Sequence, residues 1–553
     1  MRKVFIASVG TLLVLFLATS GYPAQGTAAV QASGDITLHF GIQHEFDFEI
    51  RDNYDLDNGL IDGCSGPDCS GVGGTNPVVS HFPDGFVTQE TRLIIQGSQG
   101  DIWKSRVTLE GEAAWEDERI GDGAVNEFGI ERAWADIKLY DTPVHVKTGL
   151  IWDQLDPFRM VWSDDETGIK IYATHGNISW AIWYIKESEA ADGADNLSGR
   201  DSDQDYYLAR VDLDFGSFQV SPMLSFVRNR SQTSIIDTKF ARGVNGDFAT
   251  GLVSVDENVI YPGVIARGTF GPVSFVGEFA AALGEIGDDS AVDAQREQDV
   301  SAFMVAVDVG VKLGAWTPHA GFIYASGDDN PHDADAEAWD GIASDNENLL
   351  GSRGIIMDDR VKVLNIHDDS ITANTVNPTA RQFGLQPGLI AVFAGLKGRP
   401  TKKIKTDLNL IYFQWDKERQ WEFVDGIVTR QNCSATEAAS GAGVCSNAAF
   451  TNGVADETGL VETVDDEMGW ELNGQVTYIY NKHVTLTIAA AVFWPGDGAE
   501  VVAQCFNAGS QLETSCGELP EDFEELGDDF EKLTNDRADD EAFNIEVELL
   551  VQF

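Results

Sequence analysis

The chain has 553 residues, with 90 Asp and Glu against 37 Lys and Arg and a formal net charge of −53. Such a surplus of negative charge repels phosphate backbones and excludes nucleic-acid binding. No apolar run past the N-terminal segment approaches the ~20 residues of a spanning helix, which excludes a helical membrane protein; 56 Gly against 16 Pro, with no Pro/Ser-rich linker, suits one large unit of strands and turns.

The N-terminal segment reads as an export signal. Arg2 and Lys3 form a basic start, residues 9–18 a short apolar stretch, and Val30-Gln31-Ala32 a small-residue cleavage site. Residues 1–32 are therefore expected to be removed, leaving 33–553 as one domain. Losing Arg2 and Lys3 and no acid moves the charge from −53 to −55.

The rest of the chain is marked by side chains that alternate between apolar and polar, the signature of strands with two unlike faces. Ile36, Leu38, Phe40 and Ile42 alternate with Thr37, His39, Gly41 and Gln43; Phe303, Val305, Val307, Val309, Val311 and Leu313 share one face; so do Val484, Leu486, Ile488, Ala490, Val492 and Trp494. Marking each such segment predicts about 18 strands, beginning near Asp35, Phe86, Lys104, Glu127, Val144, Gly168, Ile178, Tyr206, Phe218, Asn258, Val273, Ser301, Thr317, Gly388, Lys403, Met468, His483 and Glu541.

After every second strand comes a tight turn, at Gly100-Asp101, Asp141-Thr142-Pro143, Gly176-Asn177, Gly216-Ser217, Gly271-Pro272, Gly314-Ala315, Gly398-Arg399-Pro400 and Asn481-Lys482. Between them lie mostly longer, acidic connections. This asymmetry predicts an all-β fold: a transmembrane antiparallel up-and-down β-barrel with short periplasmic turns, long acidic extracellular loops and outer-membrane lipid around it. Lipid offers backbone amides no partners, so such a sheet must close on itself.

The long connections carry two further patterns. Cys64 and Cys69, Cys433 and Cys445, and Cys505 and Cys516 fall in three close pairs, which an oxidising compartment favours as local disulfides. Acid clusters, including Asp55 and Asp57 around Gly59 and Asp328 and Asp329 after Gly327, could supply oxygen ligands to structural calcium; a solvated acidic loop accounts for the same residues. No other cofactor is expected. The connection 327–386 is long enough to fold inward, and its apolar patch at 354–357 favours packing against something.

If the apolar faces meet lipid, the opposite faces line a pore. Its expected lining includes Arg92, Arg106, Glu110, Arg132, Asp136, Lys147, Lys170, Arg210, Arg267 and Lys405, with Arg92, Arg106, Arg132 and Lys147 forming a basic stripe on consecutive strands. Phe543, Ile545, Val547, Leu549, Val551 and Phe553 alternate up to a terminal aromatic. This ending looks like the last strand of bacterial outer-membrane barrels, in which the terminal aromatic is recognised by the assembly machinery.

The segment Glu131-Arg132-Ala133-Trp134-Ala135-Asp136, followed by Gly149-Leu150-Ile151-Trp152-Asp153 and Gly168-Ile169-Lys170-Ile171, resembles the alginate-export and related porin families; Ala325-Ser326-Gly327-Asp328-Asp329 is similar to them as well. The resemblance implies an 18-stranded barrel with a charged lumen. The expected function is an outer-membrane porin conducting small polar or charged solutes by passive diffusion, with a homo-oligomer among the assemblies open to it. The alternative is a structural or sheath barrel hosting a protein partner such as a surface lattice or an electron-transfer cytochrome. An enzyme is not expected, because none of His39, His145 and His319 has a nucleophile motif beside it.

Overall fold

The computed structural model describes residues 28–31, 36–52, 84–115, 128–188, 204–229, 232–234, 252–288, 298–327, 335–339, 341–344, 388–417, 419–422, 460–464, 466–496 and 542–553. Eighteen long strands form one antiparallel ring, and we number them in chain order. They are β1 Ile36–Asp52, β2 Asp84–Gln99, β3 Trp103–Trp115, β4 Phe128–Lys138, β5 Val144–Gln154, β6 Trp162–His175, β7 Ile178–Ser188, β8 Gln204–Asp214, β9 Phe218–Asn229, β10 Leu252–Phe270, β11 Val273–Asp288, β12 Gln298–Val311, β13 Trp316–Ala325, β14 Leu389–Thr401, β15 Ile404–Gln414, β16 Glu467–Ile479, β17 Val484–Pro495 and β18 Ala542–Gln552. Each pairs with its chain neighbours, and β18 pairs with β1 from Gln43↔Gln552 to Asp52↔Phe543. The amide of Phe553 donates to the carbonyl of Ile42 at 2.8 Å and the amide of Ile42 donates to the carbonyl of Phe553 at 3.2 Å, so no edge is left.

The side chains are arranged inside out. Phe40, Ile42, Ile182, Leu224, Val392 and Leu472 stand exposed on the outer wall, while Asp136, Glu278, Asp308, Asn409, Glu471, Asn473 and Asn544 are buried within. Water-soluble folds do the opposite. An apolar exterior and polar interior is what lipid demands of a barrel. Strands need about 9 to 11 residues to cross; β1 has 17 and β10 has 19, so the surplus extends beyond the apolar belt on the side of the long connections.

Several expectations shift. β6 begins at Trp162 rather than near Gly168, because Asp164, Asp165 and Glu166 are ladder residues opposite Asp153, Trp152 and Ile151. Likewise β10 begins at Leu252, its acidic start paired with the end of β11. The reversal expected at Gly398-Arg399-Pro400 instead lies at Lys402-Lys403. β14 runs on to Thr401 through a register shift after Gly398, and this irregularity accommodates a proline that cannot donate to the ladder. Residues 1–27, all six cysteines, and Asp55, Asp57, Asp328 and Asp329 lie outside the described residues. Ala28–Gln31 forms a short strand against β1.

Candidate functional site

Two of the connections opposite the short turns enter the barrel. Residues 155–161, between β5 and β6, form a wedge in which Leu155, Phe158, Met160 and Val161 are all at most 1% exposed. The turn is shaped by Asp156, whose carboxylate accepts the amides of Met160 (2.8 Å), Val161 (3.1 Å) and Trp162 (3.0 Å). Residues 335–339 and 341–344, parts of the long connection after β13, lie over the wedge. The Trp339 indole donates to the Met160 carbonyl at 3.0 Å and the Ile342 amide to the Val161 carbonyl at 2.8 Å. Tyr261 of β10 holds the same piece by donating to the Gly341 carbonyl at 2.8 Å and meeting the Trp339 ring edge-on.

The wedge reaches across the interior. Glu278 of β11, only 4% exposed, faces the Asp156 carboxyl inside the barrel. Burial pushes the Asp156 carboxyl up, against the pull of the three amides. Around this pair the inward faces of the later strands are apolar: Met223, Ile265, Met304, Ile323, Phe393 and Phe413 join one buried cluster with the wedge and Trp339. The resemblance implies a charged lumen, and this sector of the interior is apolar instead.

Charge concentrates on the first six strands. Arg92 sits among four glutamates, with Nε 2.6 Å from Glu90, 2.8 Å from Glu110 and 3.1 Å from Glu131, and Nη1 3.8 Å from Glu45. Arg132 bridges to Glu131 at 2.9 Å and to Asp165 at 3.3 Å. Arg106 donates to the Thr108 hydroxyl at 3.0 Å. Lys147 lies 4.6 Å above the Trp134 ring; Lys170 pairs with Asp153 and sits 4.5 Å above the Trp183 ring. Asp136 is bound by His145 at 3.1 Å and by the Tyr172 hydroxyl. The expected stripe of Arg92, Arg106, Arg132 and Lys147 is thus present on consecutive strands, with Arg92 and Arg132 salt-bridged to acid while Arg106 meets a hydroxyl and Lys147 an aromatic ring.

The wall contains a residue that alternation could not reveal. Between Thr108 and Leu109 the β3–β4 register shifts, Thr108 pairing with Arg132 and Leu109 with Ile130. A bulge sets two successive side chains toward one side, and Glu131 and Arg132 both join the Arg92 network. Elsewhere Arg210 pairs with Asp212 at 3.2 Å and donates to the Leu155 carbonyl, tying the wedge to β8. Arg267 donates to Gln219 at 3.1 Å. Lys405 lies apart from all of these, in a recess at the short-turn end.

No protein-family model and no curated protein matches the chain. Among solved structures, the barrel is similar to OccK2 (OpdF) of Pseudomonas aeruginosa, at 8% identity and a TM-score of 0.46 over 93% of this chain and 97% of that one. A BenF-like porin from Pseudomonas fluorescens Pf-5 aligns at 10% identity and a TM-score of 0.47, covering 93% and 98%. OccAB2 of Acinetobacter baumannii aligns at 9% identity and a TM-score of 0.45, also covering 93% and 98%.

Proposed function

We propose that this chain is an outer-membrane porin that lets small hydrophilic or charged solutes cross by passive diffusion, a channel and not an enzyme. The observation that carries this reading is a closed 18-stranded ring with an apolar exterior and a charged interior sector on β1–β6. Barrels of 16 to 18 strands leave an aqueous channel. Here the wedge and residues 335–339 and 341–344 fill the apolar sector, and the solute path runs along the charged wall of Arg92, Arg106, Glu110, Glu131, Arg132, Asp136, Lys147 and Lys170. Neighbouring opposite charges on such a wall replace the water that a solute sheds.

The same reading places the chain in the bacterial outer membrane, with the six cysteines as loop staples, Phe553 as the mark for the assembly machinery and residues 1–32 removed on export. The narrower likeness to alginate exporters concerns cargo: a polyuronate would have to pass a wall on which Arg92, Arg132 and Lys170 are already paired with acid. A sheath for another protein needs a bore free of the chain's own segments, and the wedge favours the channel. The test is single-channel recording of the purified protein in planar bilayers with potassium chloride, then with oligo-uronates added as blockers. Discrete conducting steps are expected; a folded barrel that inserts without conducting overturns the porin reading.

A further inference from the structure

At the short-turn end, away from the wedge and the Arg92 wall, a recess of about 680 Å³ opens between the ends of β12 to β16. Its lining carries four cations, Lys312, Lys397, Arg399 and Lys405, against one carboxylate, Asp407, a surplus of 4 − 1 = 3 positive charges in a chain whose total is −53. Lys397 reaches Asp407 only at 3.8 Å, and Arg399 donates to the Lys402 carbonyl at 3.3 Å. Among the described residues Lys312 and Lys405 have no acidic partner within 4.0 Å. Thr317 and Thr477 add hydroxyls to the same lining.

These side chains face inward. Lys405, Asp407 and the buried Asn409 alternate with exposed Leu408 and Leu410, and Thr477 and Gln475 alternate with exposed Val476. The recess therefore opens to the lumen rather than to lipid headgroups. Its chemistry is unlike that of the Arg92 wall, where every arginine is matched by acid or a hydroxyl. Ammonium groups without carboxylates, an arginine fork and hydroxyl donors are the complement of an anion with several oxygens and more than one charge. A single carboxylate would leave most of the surplus unpaired.

We propose that this recess is a binding site for a small phosphate-bearing anion at the short-turn end of the barrel. As a station on a solute's path it rests on the porin reading; as a binding site it does not. The experiment is equilibrium dialysis of the full-length protein in detergent with radiolabelled pyrophosphate, with potassium chloride conductance recorded separately. Wild-type protein binds, and the Lys312→Gln/Lys405→Gln double variant binds at least about tenfold more weakly, the loss of one charge-assisted contact or more. Lys402→Gln, a turn lysine outside the lining, and the charge-keeping Lys312→Arg/Lys405→Arg pair retain binding, and phosphatidylglycerol added to the micelles does not displace the label. Equal binding by the Gln double variant, no binding by wild type at millimolar label, or displacement by the lipid overturns the site. If wild type binds but no channel opens, the site stands and the porin reading falls.

Discussion

Asp156→Ala removes the acceptor that gives the wedge its shape. Three amides, on Met160, Val161 and Trp162, lose their carboxyl acceptor at 2.8 to 3.1 Å in a place with almost no access to water. Each buried donor left unsatisfied costs about 1 to 3 kcal/mol, roughly 3 to 9 kcal/mol before relaxation. The ring of ladders does not depend on this turn, so the loss is local: residues 155–161 detach from Trp339 and Ile342 while the barrel stays folded. Hydrogen exchange at Met160, Val161 and Trp162 should accelerate at least about a hundredfold, the equivalent of the lower bound. Single-channel conductance should rise as the wedge leaves the interior. Unchanged protection at these three amides, in a variant that migrates as a folded barrel on unheated gels, would refute the assignment of Asp156 as the anchor.

Because burial raises the Asp156 carboxyl, folding of the wedge favours its protonated form, and its stability falls as pH rises above the ordinary carboxylate range; Glu278→Gln, which removes the second buried carboxyl, should flatten the pH dependence of Met160 and Trp162 exchange. Arg92→Gln leaves Glu45, Glu90, Glu110 and Glu131 without their common cation, so the reversal potential in a salt gradient should move toward cation selectivity. Gly149→Ala puts a Cβ 2.0 Å from the Ala133 carbonyl oxygen at a backbone φ of +121°, and the yield of heat-modifiable folded barrel should fall sharply at a cost of about 2 kcal/mol or more. Deleting Phe553 removes both backbone bonds to Ile42, and insertion into the outer membrane, measured by membrane fractionation, should drop.

All eighteen strands were legible because lipid enforces alternation along each one. Phe303, Val309 and Leu313 do stand on the outer wall, as their spacing predicts. What stayed hidden depends on contacts rather than on period. The acidic start of β6 looks like a loop until Asp164 is seen opposite Asp153. Glu131 breaks parity at a bulge that leaves no mark in composition. The inward face of β12, with Val300, Ala302, Met304 and Ala306, is as apolar as its outer face, and a strand apolar on both sides should have signalled that something covers it. The cover is the wedge, whose Asp156 faces Glu278 from far along the chain.

The Asn544 side chain donates to Glu49 at 2.9 Å across 495 residues of sequence. Until that meeting, β1 and β18 are two raw margins of a sheet, and every intermediate on the way is a surface ready to join a neighbouring chain. The seam joins the first and last strands of the ring, the ladder most distant in sequence. Whatever shepherds the chain to the membrane must guard both margins until the stitch is made.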